Sequence, residues 1–285
     1  MSSPEPPAVL PADRPAPGAP ARFTRLLPAG DPVTAGELVD AIDLPTLGRS
    51  LARRPYVVLN MVATVDGRAT IDGRSGTLSN RADRELFHAL RGAVDGVLVG
   101  AGTIRVERYG PMIRDLAVRR RRVQRGLSEQ PLACIVSGLL ELPADTPLLA
   151  DSDSRIVIVT PSAASLPGVC AQVDYLRAGD GGTLDLPRAL TELRERHGVE
   201  TLLCEGGPHL NAELLASGLV DELFLSLSPK LAGGDDATGA ALRIVAGADF
   251  NELLTLELLS VLENESCVFL RYAVRGDAPS DDPLP

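Results

Sequence analysis

Glu205 ends the apolar run of residues 201–204 and stands directly before Gly206, Gly207 and Pro208, in the stretch "TLLCEGGPHLNAELL". A carboxylate at the mouth of a buried strand can accept hydrogen bonds from a polar ligand, and the residues after it have the composition of a helix start. Backbone N–H groups at such a start attract an anion, and glycines let it approach the main chain closely. A tight turn with Glu205 as a solvated strand end would use the same residues. The stretch therefore has to be weighed with its companions. "TVDG" with Asp66, "GAGT" with Gly100, Gly102 and Thr103, and "VSG" with Ser137 also close apolar runs. Asp-Gly alone is a common turn pair. Several such ends on one sheet converge on one crevice, because open α/β sheets bind ligands at the carboxyl ends of their strands.

Other chemistries find little support. Gly100 and Gly102 resemble part of a dinucleotide fingerprint, but Arg105 replaces its third glycine and no acid lies at the ribose-binding distance. His88 falls on a core-facing helix, His197 at a helix end and His209 after the glycine pair, so no Ser-His-Asp triad forms and no metal-ligand spacing appears. His209 fits either a surface position or a place beside a bound phosphate. Cys134, Cys170, Cys204 and Cys267 are scattered, three of them in apolar runs, which suits a reduced protein.

Composition narrows the class further. The chain has 285 residues, 45% hydrophobic, with a net charge of −10 and no tryptophan. Such a chain can hold one large α/β domain or two small ones, and its charge and scarce aromatics argue against nucleic-acid binding. Arg119 to Arg122 and Arg125 form a local basic run, read either as a solvated helix or loop or as a phosphate contact. Neither a secretory signal nor a membrane-length apolar run is present, so a cytoplasmic location is expected.

The elements that must position these residues alternate. Residues 1–21 and 276–285 are rich in Pro and in Pro plus acid respectively and read as disordered tails, with a lead-in over residues 22–54 packing on the core and a helix near Ala35–Ile42. From residue 55 to 275 a single domain is expected. Strands are predicted at Tyr56–Thr64, 96–100, 132–137, Arg155–Thr160, 199–204 and 221–229. Helices are predicted over 79–92, Leu186–His197 and Pro208–Ala216, with Ser79 or Asn80 and Asp185 as caps and Gly92 and Gly218 as stops. The period-two runs at 252–264 and Cys267–Arg275 predict an antiparallel pair at the sheet edge. The fold class is then α/β, with a mostly parallel central sheet flanked by helices.

"NMVATVDGRAT", "SGTLSN", "HALRGAVDGVLVGAGTIRVERYGP" and "CEGGPHLNAELLASGLVDELFLSLSPKLAGG" together resemble the pyrimidine reductases of riboflavin biosynthesis, in the dihydrofolate-reductase-like superfamily. The resemblance runs in order from about residue 55 to 274. It implies NADPH-dependent reduction of a ribosylamino-pyrimidine 5′-phosphate, in which the ribosyl group becomes ribityl, by a homodimer.

By that resemblance Ala63, Thr77, Gly100, Gly102, Thr103, Glu107, Ser137, Gly206, Gly207, Pro208, His209, Leu210 and Asn211 line the cofactor site. Asn60, Ser75, Arg91, Arg114 and Glu205 would serve the substrate, with the arginines and Ser75 on its phosphate. Glu205 and Asp66 are the catalytic candidates, although Asp66 also suits a loop brace. Two positions depart from the usual bacterial pattern: Asn60 stands where lysine is common, and Glu107, Arg108 and Tyr109 replace Asp-Asp-Pro. A same-fold reductase of dihydrofolate or another pterin-like compound, and a non-catalytic NADPH-binding protein, are the competing expectations.

Overall fold

The computed structural model describes residues 19–275 except 72, 181, 235–241, 248, 249 and 251. Of the expected tails at 1–21 and 276–285, residues 1–18 and 276–285 lie outside the described residues. Chain order is β1 (Arg22–Leu27), β2 (Ala29–Thr34), α1 (Ala35–Ile42), α2 (Leu44–Ser50), β3 (Tyr56–Thr64), α3 (Arg81–Ala93), β4 (Gly96–Gly100), α4 (Ala101–Glu107), α5 (Leu116–Gln124), β5 (Leu132–Val136) and α6 (Pro147–Ala150). Then come β6 (Arg155–Thr160), β7 (Gln172–Arg177), β8 (Gly179–Asp180), β9 (Thr183–Leu184), α7 (Leu186–His197), β10 (Thr201–Cys204), α8 (Pro208–Ala216), β11 (Glu222–Ser228), β12 (Thr255–Asn264) and β13 (Cys267–Arg275).

Eleven strands form one sheet in the order β2-β1-β12-β13-β11-β3-β10-β4-β5-β6-β7. From β11 to β7 every neighbouring pair is parallel, and from β2 to β11 every pair is antiparallel. Alternate side chains of a strand face opposite sides, so a parallel strand buried on both faces reads as an unbroken apolar run. Val58, Val97, Val99, Ile135 and Ile158 pack on one face beside Leu86 and Leu90 of α3. Val57, Leu59, Leu98, Cys134 and Val157 pack on the other, beside Leu190 and Leu193 of α7 and Leu214 of α8. Asn80 caps α3 by accepting from the Asp83 N–H, and Asp185 caps α7 by accepting from that of Arg188.

The C-terminal strand pair is not at the edge. β1 pairs with β12 at Val261, Leu262 and Glu263, and β2 pairs with β1, so the lead-in adds two strands outside the expected rim. Its Phe23 packs edge-on against Phe269, which places the lead-in on the main core. Gly92 does not stop α3, which runs on to Ala93.

The arginine run forms α5, and one of its members is not solvated. Arg122 is 1% exposed. Its guanidinium donates to the carbonyls of Arg91 and Val94 at 3.1 and 2.7 Å and to that of Ser128 at 2.9 Å. The last carbonyls of a helix lack internal partners and carry partial negative charge, which a buried cation satisfies. Burial pulls the Arg122 pKa down to about 10, which still leaves it charged near neutral pH.

Two measurements test these contacts. Arg122→Ala should cost about 3 kcal/mol in a denaturant titration, because buried carbonyls lose their donors, whereas exposed Arg120→Ala should stay within about 0.5 kcal/mol. Tyr56 donates to Glu222 at 2.9 Å, and burial followed by the Glu222 charge raises its phenol above the ordinary value of 10.0. A raised folded pKa contributes stability below the unfolded value that is lost as pH climbs through the folded one. Unfolding midpoints should therefore fall above about pH 10, and less steeply in Tyr56→Phe.

Candidate functional site

A cleft of about 980 Å³ opens over the carboxyl ends of β4 and β10, beside residues 60–62 of β3. Its lining brings together Asn60, Ser75, Arg91, Arg114 and Glu205 from the substrate set. From the cofactor set it brings Gly100, Gly102, Thr103, Glu107, Gly207, Pro208, His209 and Leu210. Parallel strands place these ends side by side: Cys204 pairs with Leu98 and with Leu59, so the residues that follow β10 lie between β3 and β4.

Glu205 is tied down from below. Arg91, in the last turn of α3, donates from Nε to Oε1 at 2.6 Å and from Nη2 to Oε2 at 2.7 Å. Tyr109 Oη donates to Oε2 at 2.8 Å, and Arg91 Nη1 donates to the Met112 carbonyl at 2.9 Å. Burial works against the Arg91 charge, but Glu205 more than offsets it and raises the guanidinium above its ordinary value. Burial and then the Glu205 charge push the Tyr109 phenol well up, so it stays a neutral donor. The guanidinium carbon lies 4.2 Å from the Phe87 ring centre and 5.2 Å from that of Tyr109, an arginine clasped by two aromatic rings.

The glycine pair forms the second half of the site. Gly206 has φ +89°, a backbone geometry that favours glycine, and its carbonyl accepts from Gly100 N at 2.7 Å. Gly207 is the N-cap of α8 and no side chain caps the helix. Pro208 has no N–H and the Asn211 N–H bonds the Gly207 carbonyl at 2.9 Å, which leaves those of His209 and Leu210 without an intrahelical acceptor and available to an anionic ligand. A Cβ on Gly207 would sit 3.0 Å from Thr103 Oγ1 and narrow that approach.

Glu107 lines the cleft and also braces its neighbour, since Oε1 accepts from both the N–H and the hydroxyl of Ser75 at 3.0 Å. Arg114 is exposed and makes no ion pair with another described residue. Among the described lining arginines, Arg108 pairs with Asp145 at 3.6 Å and Arg105 donates to the Glu141 carbonyl at 2.6 Å.

The structure does not bring the remaining candidates into the lining. The Asp66 carboxylate accepts from Thr64 Oγ1 and from the N–H groups of Ala232 and Gly233 at 3.0 and 2.7 Å, which pins one loop to another. The Thr64 bond, then that of Gly233, holds its pKa below the usual carboxylate value. Ala63 is buried within β3, and Ser137 is buried with its hydroxyl accepting from Leu140 N–H at 3.0 Å. The Thr77 carbonyl takes Lys230 Nζ. Asn211 is fully buried, its amide donating to the Ile244 carbonyl at 2.7 Å.

Phe87, Tyr109 and Met112 join the site without having been singled out for it. Phe87 precedes Arg91 by four residues on α3, a spacing that sets two side chains together on a helix. For Tyr109 the available signal was its place in the loop that departs from the usual pattern.

Residues 55–266 match the family model described as the RibD C-terminal domain. The chain is 28% identical over 228 residues to 2,5-diamino-6-ribosylamino-4(3H)-pyrimidinone 5′-phosphate reductase of Methanothermobacter thermautotrophicus, covering 78% of this chain and 100% of that one. It is 28% identical over 214 residues to the protein of the same name from Aquifex aeolicus, covering 71% and 88%. Among solved structures, a pyrimidine reductase-like protein from Corynebacterium diphtheriae has a TM-score of 0.71 at 24% identity, covering 86% of this chain and 100% of that one. These relatives are reductases by name, and no helix among the described residues is long and apolar enough to cross a membrane. With its family match spanning most of the chain, the protein belongs to the RibD C-terminal domain family.

Proposed function

We propose that this protein is an NADPH-dependent reductase that converts the ribosyl group of a ribosylamino-pyrimidine 5′-phosphate to ribityl, the reaction class to which its relatives' names point. The observation that carries the reading is one cleft that holds both a helix start beside Gly207 without a side-chain cap and an exposed Arg114 that makes no ion pair with another described residue. These suit two anionic ligands, a phosphorylated dinucleotide and a sugar phosphate.

The residues present fit the cofactor. The N–H groups at the α8 start would take its phosphates, with Gly207, Gly100 and Thr103 leaving room for close approach. When bound, NADPH supplies the hydride that the protein itself cannot.

The protein's work is positioning and charge. Arg114 supplies a forked, permanently charged donor set for the substrate phosphate. Glu107 holds Ser75, so that the loop bearing this phosphate candidate is fixed to the end of α4. Asn60 offers an amide to the sugar or base without adding charge. Asp66 is not given a proton-transfer role, because its acceptor positions are spent on the 232–233 loop.

Loss of NADPH absorbance with enzymatically prepared ribosylamino-pyrimidine phosphate, with dihydrofolate run alongside, tests the reading: turnover of the first and not the second is expected. Turnover of dihydrofolate alone would replace it. Arg114→Ala should raise KM for the phosphorylated substrate about tenfold while kcat holds, the signature of lost ground-state binding. Gly207→Val should weaken NADPH binding at least about tenfold in a direct titration, because the added side chain crowds Thr103 where the anion must approach.

A further inference from the structure

The ligands of the proposed reaction carry three anionic groups: the pyrophosphate and the 2′-phosphate of the cofactor, and the phosphate of the substrate. The α8 start and Arg114 account for two of them. A further cation stands on the β5 side of the glycine turn. Arg105 lines the cleft, is exposed, and makes no ion pair with another described residue. It comes three residues after Gly102 on α4, a spacing that sets two positions on one helix face. Its Nη1 donates to the Glu141 carbonyl at 2.6 Å, and its Nη2 lies 4.0 Å from where a Cβ at residue 102 would stand. Glycine there puts no side chain over that nitrogen. Glu141 follows β5, which pairs with β4 so that Val136 is opposite Gly100. Ser137 Oγ accepts from the Leu140 N–H at 3.0 Å, so the loop that offers the carbonyl is itself braced. The guanidinium is thus held across the ends of β4 and β5, while the Gly206 carbonyl and the Gly100 N–H join β10 to β4 beside the α8 start. The two places are one strand apart, a step of about 4.8 Å in a sheet.

We propose that Arg105 binds the 2′-phosphate of the cofactor and so sets the preference for NADPH over NADH. The inference rests on the proposed cofactor and adds the residue that tells its two forms apart. A guanidinium stays charged and presents forked donors to phosphate oxygens, and the Glu141 carbonyl orients that fork before a ligand arrives. Among the described residues only Nη1 has an acceptor, which leaves Nε and Nη2 for the phosphate. Dinucleotide sites that prefer a free 2′-hydroxyl place an acid at the ribose instead, and the sequence has none at that distance. Glu107, on the same helix, is engaged by Ser75. An exposed arginine left without a phosphate stays solvated, so the discrimination is a gain for NADPH rather than a penalty on NADH.

Fluorescence titration of the purified protein with NADPH and with NADH tests this without any substrate. The native protein should bind NADPH at least about tenfold more tightly than NADH. Arg105→Ala should weaken NADPH binding about tenfold and change NADH binding less than about twofold, so that the two affinities converge. The retained NADH affinity also shows that the variant is folded. Arg105→Lys keeps the charge without the fork and should fall between the two. Adenosine 2′,5′-bisphosphate should displace NADPH from the native protein better than adenosine 5′-phosphate does, and this advantage should vanish in Arg105→Ala. An unchanged ratio of the two affinities in the alanine variant overturns the assignment, as does an equal loss for both cofactors, which would put Arg105 on a part that they share. Binding of neither cofactor by the native protein would remove the proposed function and this inference together, whereas NADPH binding with an unchanged ratio removes the inference alone.

Discussion

The buried ion pair between Arg91 and Glu205 is the constraint around which the rest of the site is arranged. Taking both charges out of water costs several kcal/mol per ion, and the pair repays it only when geometry is good and the remaining donors are satisfied. Here the contact is bidentate, at 2.6 and 2.7 Å. The third guanidinium nitrogen finds the Met112 carbonyl, and the guanidinium carbon lies 4.2 Å and 5.2 Å from the ring centres of Phe87 and Tyr109. A lone partner left in this place would be a buried uncompensated charge. The helix that bears Arg91, the strand that ends at Glu205 and the loop that carries Tyr109 and Met112 must therefore assemble together.

A second buried cation reinforces that assembly from behind. Arg122 holds the carbonyl of Arg91 itself and that of Val94, so α5 is clamped to the last turn of α3. Movement of α5 would disturb the backbone from which the Arg91 side chain reaches Glu205. The parallel part of the sheet supplies the other fixed reference. Because β10 and β4 are adjacent and run the same way, the glycines at their ends meet the Glu205 corner without a long loop. Rigid elements then hold the helix start, while the short connections keep it open to a ligand.

Local pattern made the parallel strands and the long helices legible, because each is buried on a face that its periodicity announces. β3, β6, α7 and α8 follow directly from unbroken apolar runs, caps and stops. The added strands β1 and β2 do not. Their residues, "RFTRLL" and "AGDPVT", show no strict alternation and include a proline; β1 becomes a strand by pairing with residues more than two hundred positions away, and β2 by folding back on β1. The site divides in the same way. Glu205 and the glycines stood out because their types are unusual at strand ends, whereas Asn211, Ser137 and Asp66 share those neighbourhoods yet spend their polar groups on other parts of the protein. Composition shows that a group can bond; only the fold shows what has already bonded it.

That distinction bears on which arginine is free for an anion. Residue type makes Arg91 and Arg114 equal candidates. Of the five N–H donors of Arg91, three already point at Glu205 and Met112, and two aromatic rings lie close to its guanidinium. For a phosphate to take this guanidinium edge-on it would have to displace Glu205, leaving a carboxylate in a nearly dry position beside a second anion. Two like charges in low dielectric repel strongly, so such an exchange opposes itself. Arg114 meets no such cost: it is exposed, makes no ion pair with another described residue, and lines the same cleft. The proposed division of labour between them rests on this difference: Arg91 holds the floor together, and Arg114 is the candidate for the ligand's charge.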